Sequence, residues 1–89
     1  MVTLSATVGN ELGIHARPSL LIARAALEYA GSITVHSDDG VANAKSVLEL
    51  LGLAAGPGRR LEITVSGPDE AAVARRFVGL FEQHYDFGS

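Results

Sequence analysis

Residues 12–19 read Leu-Gly-Ile-His-Ala-Arg-Pro-Ser, and this stretch predicts a turn that leads into a helix. Gly13 can adopt a positive φ angle and so turn the chain. His15 stands at the N-cap position. Pro18 falls in the first helical turn, where the N–H that proline lacks would have no intrahelical partner. The residues that follow are mainly strong helix formers. We therefore expect a helix that opens at His15.

This predicted helix ends near Tyr29–Ala30, with Gly31 as its C-terminal stop. Its apolar set is wide and includes Leu20, Leu21, Ile22, Ala23, Ala26 and Leu27. Because the set is wider than one buried face requires, we expect some apolar side chains near the start of the helix to be exposed. An exposed apolar rim beside a reactive histidine favours a docking surface, and burial under a loop is the alternative.

A histidine at a helix N-terminus can form an anion site. Main-chain N–H groups and the positive end of the helix dipole point towards an anion that approaches His15. A neutral imidazole is a good nucleophile, and the helix N-terminus disfavours its charged form. Arg17 adds a guanidinium two residues later. The stretch therefore predicts a phosphoryl site, against the alternative that His15 is a surface residue without function.

Composition excludes several classes of protein. The 89 residues, of which 47% are hydrophobic and 19% charged, predict a single packed domain over residues 1–89. The net charge of -3 argues against a nucleic-acid binder. The absence of cysteine excludes disulfides and thiolate catalysis, and the three histidines lack metal-ligand spacing, so we expect no metal. Neither a signal peptide nor an apolar run of eighteen residues is present, which favours a cytoplasmic protein without membrane insertion.

Period-2 alternation predicts four strands. The first runs from Val2 to Val8, the second from Ser32 to Ser37, a short third from Val41 to Ala44, and the fourth from Leu61 to Ser66. The turn signal Asp38-Asp39-Gly40 joins the second and third strands as a hairpin.

Two further helices are predicted. Ser46 and Glu49 form a capping box for a short helix that extends to about Leu51 and is ended by Gly52. Residues 67–70, Gly-Pro-Asp-Glu, open the last helix with proline in its first turn. This helix is anchored to the sheet by Val73, Phe77, Leu80 and Phe81.

The predicted order β-α-β-β-α-β-α indicates an α+β domain of two layers. Every long strand has one polar face, so helices must cover one face of a single sheet while the other face stays wet. The order of the strands within the sheet does not follow from periodicity.

Residues 13–18, Gly-Ile-His-Ala-Arg-Pro, resemble the active-site signature of the HPr family, the histidine-containing phosphocarriers of the bacterial phosphotransferase system and their nitrogen-branch relatives. A second segment, Asn43 to Leu48, is similar to the regulatory-serine segment of that family at the expected separation. The resemblance runs from about Val2 to Phe81. It implies an open-faced sandwich in which a four-stranded antiparallel sheet of order 1-4-2-3 carries three helices on one face.

The resemblance also implies a function. Nδ1 of His15 would accept a phosphoryl group from phosphorylated enzyme I and pass it to an enzyme IIA domain. Arg17 and the backbone N–H groups of Ala16 and Arg17 would stabilise the transferring oxygens. The protein would then be a carrier and not an enzyme, and a monomer without a cofactor. Nothing in the sequence resembles a nucleotide pocket, so the phosphoryl donor must be another protein.

Regulation and docking follow from the same resemblance. Ser46 would be the target of an ATP-dependent HPr kinase, in addition to its role as a helix cap. The apolar residues that meet enzyme I would be Leu20, Val47, Leu48 and Leu51. Three departures stand out, which are Ser19 where many relatives have alanine, leucine at positions 48 and 51 where many have methionine, and a longer tail.

Two other functions remain open at this point. A regulatory adaptor of the same fold would bind partners without relaying phosphate, but the presence of both His15 and Arg17 favours the carrier. A small-ligand-binding α+β module would need a concave apolar pocket, which so short a chain can hardly provide.

Overall fold

The structure, a computed structural model, describes residues 1–8, 16–38, 40–53 and 59–82, without the side chains of residues 16–18. Its elements follow the predicted order. They are β1 (Val2–Thr7), α1 (Ala16–Leu27), β2 (Ser32–Ser37), β3 (Gly40–Asn43), α2 (Val47–Gly52), β4 (Arg60–Ser66) and α3 (Glu70–Glu82).

The four strands form one antiparallel sheet in the order β1-β4-β2-β3. The strand order that the family resemblance implied is thereby confirmed, and so is the α+β class that the order of elements predicted. Because β4 pairs with both β1 and β2, it lies inside the sheet between these two strands. The edges of the sheet are β1 and the four-residue strand β3.

Neighbouring cross-strand rows show how alternation builds two layers. Ile63 lies opposite Leu4 of β1 and Val35 of β2, and this row points into the core. The next row, Ser5, Glu62 and His36, is exposed to solvent. The helices therefore cover one face of the sheet, and His36 lies on the other face, where it is exposed to solvent.

The core between sheet and helices is dominated by two aromatic residues of α3. Phe77 and Phe81 are fully buried, and α3 packs against β1 and β4. Burial of each phenylalanine contributes about 1.5–3 kcal/mol to folding. The predicted anchors Val73 and Leu80 are partly buried at the margin of this core.

The start of α3 differs from the prediction. Pro68 lies in the turn before the helix and not in its first turn, because Asp69 takes a left-handed φ of 50° and the helix begins at Glu70. The N–H of Val73 donates to the carbonyl oxygen of Asp69 over 3.0 Å, which closes the first helical turn. Aspartate tolerates this backbone region better than most residues do.

The end of α1 also differs from the prediction, since the helix stops at Leu27. The N–H of Tyr29 donates to the carbonyl oxygen of Ala26, so the chain tightens and leaves the helix before Gly31. Gly31 is required for a different reason. A Cβ there would overlap the carbonyl oxygen of Ser66 and lie 2.9 Å from Cα of Gly67, so this glycine permits two backbones to approach closely.

The predicted hairpin between β2 and β3 is present, with Ser37 paired to Gly40. Gly40 has a φ of 150°, which favours glycine. β3 comprises Gly40–Asn43 and not residues 41–44, although the N–H of Ala44 still donates to the carbonyl oxygen of Ile33 over 2.9 Å. Asp39 lies outside the described residues.

A polar junction joins the end of α1 to the start of α3. Tyr29 Oη donates to the carbonyl oxygen of Pro68 over 2.7 Å. Partial burial, followed by the charges of Glu70 and Asp69, raises the pKa of Tyr29 above its usual value. Hydrogen bonds from the N-terminal ammonium and from the Gly67 N–H lower the pKa of Glu70.

Candidate functional site

The N-terminus of α1 lies where the sequence predicts the phosphoryl site. The helix begins at Ala16, directly after His15, so the backbone N–H groups of its first turn have no intrahelical acceptors. The positive end of the helix dipole is at this terminus and attracts anions. Arg17 lies in this first turn. His15 itself and the side chain of Arg17 lie outside the described part of the chain.

Ser19 occupies a place that the sequence analysis did not anticipate. It is fully buried, and its Oγ has no hydrogen-bond partner among the residues that the structure describes. The reason is its position on the buried stripe of α1, which continues with Ile22, Ala23 and Ala26. The spacing of 19, 22, 23 and 26 was a readable signal for this burial. The serine is therefore a core residue at the base of the helix start.

Apolar side chains are exposed on α1, as its wide apolar set predicted. Leu20 is 44% exposed, and Leu21 and Leu27 are exposed as well. The buried face of α1 is formed by small or branched residues, which leaves these leucines on the outer surface. The sequence analysis did not name Leu21 and Leu27 as docking residues, because helical spacing alone did not show which of the apolar side chains of α1 are buried.

The other predicted docking residues lie on α2, which packs against α1. Leu48 is 81% exposed and Leu51 36% exposed, whereas Val47 is half-buried against the core. Leu50, between them, is fully buried and anchors α2. We call Leu20, Leu48 and Leu51 the leucine patch. These residues give the adjoining helices α1 and α2 exposed apolar side chains.

Ser46 caps α2 as predicted. Its backbone is extended, and its Oγ accepts a hydrogen bond from the N–H of Glu49 over 3.2 Å. The second half of the predicted capping box is different. The carboxylate of Glu49 accepts from the N–H of Asn43 over 2.9 Å, and the N–H of Ser46 donates instead to the carbonyl oxygen of Asn43. Glu49 thus ties α2 to the end of β3.

Lys45 links the two helices of the leucine patch. Its Nζ donates to the carbonyl oxygen of Tyr29 over 2.9 Å, just beyond the end of α1. Its own N–H donates to Oδ1 of Asn43, which fixes the turn before Ser46. The cation therefore lies near the negative end of the α1 dipole, where it is favourable.

The described residues also form a cleft of about 450 Å³ at one end of the sheet. It is lined by His36, Ser37, Asp38, Arg59, Arg60 and Glu62. Its two arginines are balanced by two carboxylates, and Arg60 donates to Ser5 Oγ over 2.9 Å. The cleft differs from the concave apolar pocket that a small-ligand module requires.

The described part of the chain contains neither a cluster of metal-ligating side chains nor a helix that could span a membrane. Within residues 1–8, 16–38, 40–53 and 59–82, no group of three or more histidine, aspartate or glutamate side chains is arranged to hold a metal ion. The helices in the same ranges are too short or too polar to cross a membrane.

Comparison with known proteins gives a consistent picture. A family model described as the PTS HPr component phosphorylation site matches residues 2–83. The chain is 38% identical over 86 residues to the phosphocarrier protein HPr of Treponema pallidum (strain Nichols), and the match covers 97% of this chain and 98% of that protein. It is 35% identical over 80 residues to the phosphocarrier protein NPr of Klebsiella oxytoca, with 89% of both chains covered.

The fold is similar to solved structures as well. The crystal structure of a phosphocarrier protein HPr from Bacillus anthracis str. Ames superposes with a TM-score of 0.84 at 28% identity. This superposition covers 90% of this chain and 95% of that one. The arrangement of the sheet and helices is therefore similar to that of this HPr structure.

Proposed function

The chain belongs to the HPr family of the phosphotransferase system, and from this membership we propose that His15 accepts a phosphoryl group from phosphorylated enzyme I and passes it to an enzyme IIA domain. A member of this family is a phosphocarrier and not a classical enzyme. The observation that supports the proposal best is the start of α1 at Ala16, immediately after the histidine of the Gly-Ile-His-Ala-Arg-Pro signature.

The chemistry follows from the helix start. Neutral Nδ1 of His15 attacks phosphorus in line, and the bond from phosphorus to the enzyme I donor breaks as the bond to Nδ1 forms. In the second transfer the bond from phosphorus to Nδ1 breaks as a bond from phosphorus to a nucleophile of the enzyme IIA domain forms. N–H groups of the first helical turn have no intrahelical acceptors and can donate to the phosphoryl oxygens, and these include the amides of Ala16 and Arg17.

Arg17 is proposed as the charged stabiliser. A guanidinium in the first turn can donate two hydrogen bonds to phosphoryl oxygens, which gives both charge and orientation. No cofactor is needed in this scheme, because the phosphoryl donor is a protein and the acceptor is another.

Docking is assigned to the leucine patch together with Val47. These side chains are available to a partner because folding leaves Leu48 and Leu20 substantially uncovered. An apolar surface close to the N-terminus of α1 would allow one partner surface to cover the helices and reach His15. Enzyme I and enzyme IIA domains would use this surface in turn, since the carrier must present the same histidine to both.

Ser46 is proposed as a regulatory site, modified by an ATP-dependent kinase. The residue is half-buried and adjoins the docking residues Val47 and Leu48. A phosphate there would add up to two negative charges, and to remove those charges from water on docking is costly. Phosphorylation would therefore weaken docking to enzyme I.

The remaining expectations are proposed with the function. The protein would act as a single domain over residues 1–89, as a monomer, in the cytoplasm. There it would meet its phosphorylated donor without insertion into the membrane or binding to nucleic acid.

A relay assay tests the proposal. Radiolabelled phosphoenolpyruvate, enzyme I and a purified enzyme IIA domain are mixed with and without this protein, and the label on each protein is followed. The label should reach enzyme IIA only when the protein is present, and it should pass through the protein first. A regulatory adaptor would bind enzyme IIA without becoming labelled, so binding without label would contradict the carrier function.

A further inference from the structure

The corner between β3 and α2 is closed by a ring of hydrogen bonds. Asn43 is its centre, because its carbonyl oxygen accepts from the N–H of Ser46 over 2.9 Å. Its Oδ1 accepts from the N–H of Lys45 over 2.9 Å, and its own N–H donates to Glu49 Oε1 over 2.9 Å. Ser46 Oγ completes the ring by accepting from Glu49 N–H.

The carboxylate of Glu49 accepts a hydrogen bond from the Asn43 N–H, which does not pair within the sheet. β3 is an edge strand, and the neighbouring N–H of Ala44 donates inward to Ile33 of β2. Because N–H groups alternate in direction along a strand, the N–H of Asn43 points away from the sheet. The carboxylate of Glu49 therefore holds an outward-facing amide that would otherwise bond to water.

Ser46 and Glu49 share the first turn of α2. Ser46 Oγ lies 3.2 Å from the backbone nitrogen of Glu49, and the carboxylate of the same Glu49 turns back to Asn43. A negative charge added at Ser46 Oγ would thus face an existing carboxylate within one turn. Like charges within one helical turn of each other repel even where solvent screens them.

Resting on the proposed modification of Ser46, we propose that Glu49 is an electrostatic latch, whose carboxylate releases the Asn43 N–H when Ser46 becomes negatively charged. The helix remains capped, because a carboxylate or phosphate at position 46 still accepts from the N–H of Glu49. The change is local. The bond between β3 and α2 is lost while the sheet and the buried anchor Leu50 stay in place.

The latch gives Ser46 a second route to the docking surface. Leu48 lies between Ser46 and Glu49 in the chain and is the most exposed side chain of the leucine patch. When the corner opens, the position of Leu48 relative to α1 is less fixed. A modification of Ser46 then weakens docking through loss of order as well as through charge.

Neutral and charged replacements at the two positions isolate the effect. Ser46→Asp and Ser46→Asn have almost the same shape and both are good N-caps, but aspartate alone adds a charge. Glu49→Gln keeps an oxygen that can accept from the Asn43 N–H but removes the carboxylate charge. Glu49→Ala removes the acceptor and reports what a fully open latch looks like.

Amide hydrogen exchange followed by NMR measures the latch directly at Asn43, with the amide of Ala44 as the internal reference. Ser46→Asp should lower the protection of the Asn43 amide about tenfold, as loss of one hydrogen bond would. Glu49→Ala should lower it similarly. Ser46→Asn should leave it unchanged, and Ser46→Asp should have no such effect in the Glu49→Gln background.

Equal protection of Asn43 in the Ser46→Asp and Ser46→Asn proteins would overturn the latch. The latch would also be overturned if Ser46→Asp lowered the protection of the Asn43 amide equally in the parent background and in the Glu49→Gln background. A matching fall at Ala44 would show loosening of the whole sheet and would also overturn it. None of these measurements involves His15 or enzyme I. Failure of the latch and failure of the phosphocarrier function are therefore distinguishable.

Discussion

Leu48 and Leu50 are two residues apart on α2 and should respond to truncation in opposite ways. Leu48 is 81% exposed, and Leu50 is completely buried. We expect Leu48→Ala to impair docking to enzyme I without loss of stability, and Leu50→Ala to destabilise the domain. Each variant is the matched control for the other, because both shorten the same side chain in the same six-residue helix.

The magnitudes follow from burial. Truncation of a buried leucine costs about 2–5 kcal/mol, which is a large part of the stability of a domain of this size. Each kcal/mol lowers Tm by about 4–8 °C in so small a domain, so Leu50→Ala should lower Tm by at least about 8 °C. Leu48 contributes little to folding, and its truncation should change the free energy of unfolding by less than about 0.5 kcal/mol.

For docking to enzyme I, Leu48 should matter more than it does for folding. Complete burial of a leucine side chain is worth about 1.5–3 kcal/mol, and Leu48 retains most of this area for a partner. If docking covers half of it, Leu48→Ala loses about 1 kcal/mol of binding, and KM for phosphotransfer from enzyme I rises about fivefold. The maximal rate should not change, because the groups around His15 are intact.

Initial rates of phosphotransfer at several carrier concentrations, together with thermal melting by circular dichroism, decide the matter. An unchanged KM for Leu48→Ala would remove this residue from the docking surface. A fall in Tm as large as that of Leu50→Ala would show that Leu48 is buried in solution and that α2 packs in a different rotation.

Three further changes test other parts of the molecule. Arg17→Ala should slow phosphotransfer about 10- to 1,000-fold, as loss of one charged stabiliser does, with little change in Tm, and unchanged rates of transfer from enzyme I would exclude Arg17 from the mechanism. Gly79 lies within α3 with open space where a Cβ would be, so Gly79→Ala should stabilise the fold by about 1 kcal/mol in urea unfolding. Gly31→Ala should destabilise the fold, because the added Cβ would overlap a neighbouring backbone, and equal effects of the two substitutions would contradict this packing. The pKa of Glu70 is lowered in the folded state, so the stability that its carboxylate contributes is present above the ordinary glutamate pKa and is lost as pH falls through the folded-state pKa. Glu70→Gln should therefore lower the urea midpoint at pH 7, and in acid the midpoints of the variant and the parent protein should become equal.

Local patterns predicted most of the fold. The alternation in Ser32–Ser37 gives β2 its bounds, and the Asp-Asp-Gly signal gives the hairpin that follows. Local patterns could not predict the strand order, because it depends on pairing between residues far apart in the chain, such as Leu4 and Ile63. Periodicity shows that each strand has an inner face but not which strand is its neighbour, so the order came from the family resemblance.

The differences at single residues have a common physical cause. Gly31 was interpreted as a helix stop, but its role depends on a contact with Ser66 that is remote in sequence. Glu49 was expected to complete a local capping box, and instead it reaches Asn43 at the sheet edge. A prediction from local sequence considers only partners that are near in the chain, whereas folding brings partners that are distant in sequence into contact.

The elements around the predicted site were located in the same way. The helix start at Ala16 follows from the residues around it. Leu48 and Leu51 of α2 were identified through the resemblance, and both are exposed. Burial of Ser19 was missed because a serine in the first turn of a helix is ordinarily interpreted as polar surface. Its spacing from Ile22 and Ala26 carried the correct information.

The identity of the phosphorylated atom tests the central proposal most directly. The protein is incubated with enzyme I and phosphoenolpyruvate, and the modified residue is located by mass spectrometry and by its stability in acid and alkali. We expect one phosphoryl group on the imidazole of His15, labile in acid and stable in alkali, and none on His15→Ala. Labelling of His15→Ala to the extent of the parent protein would contradict the carrier function.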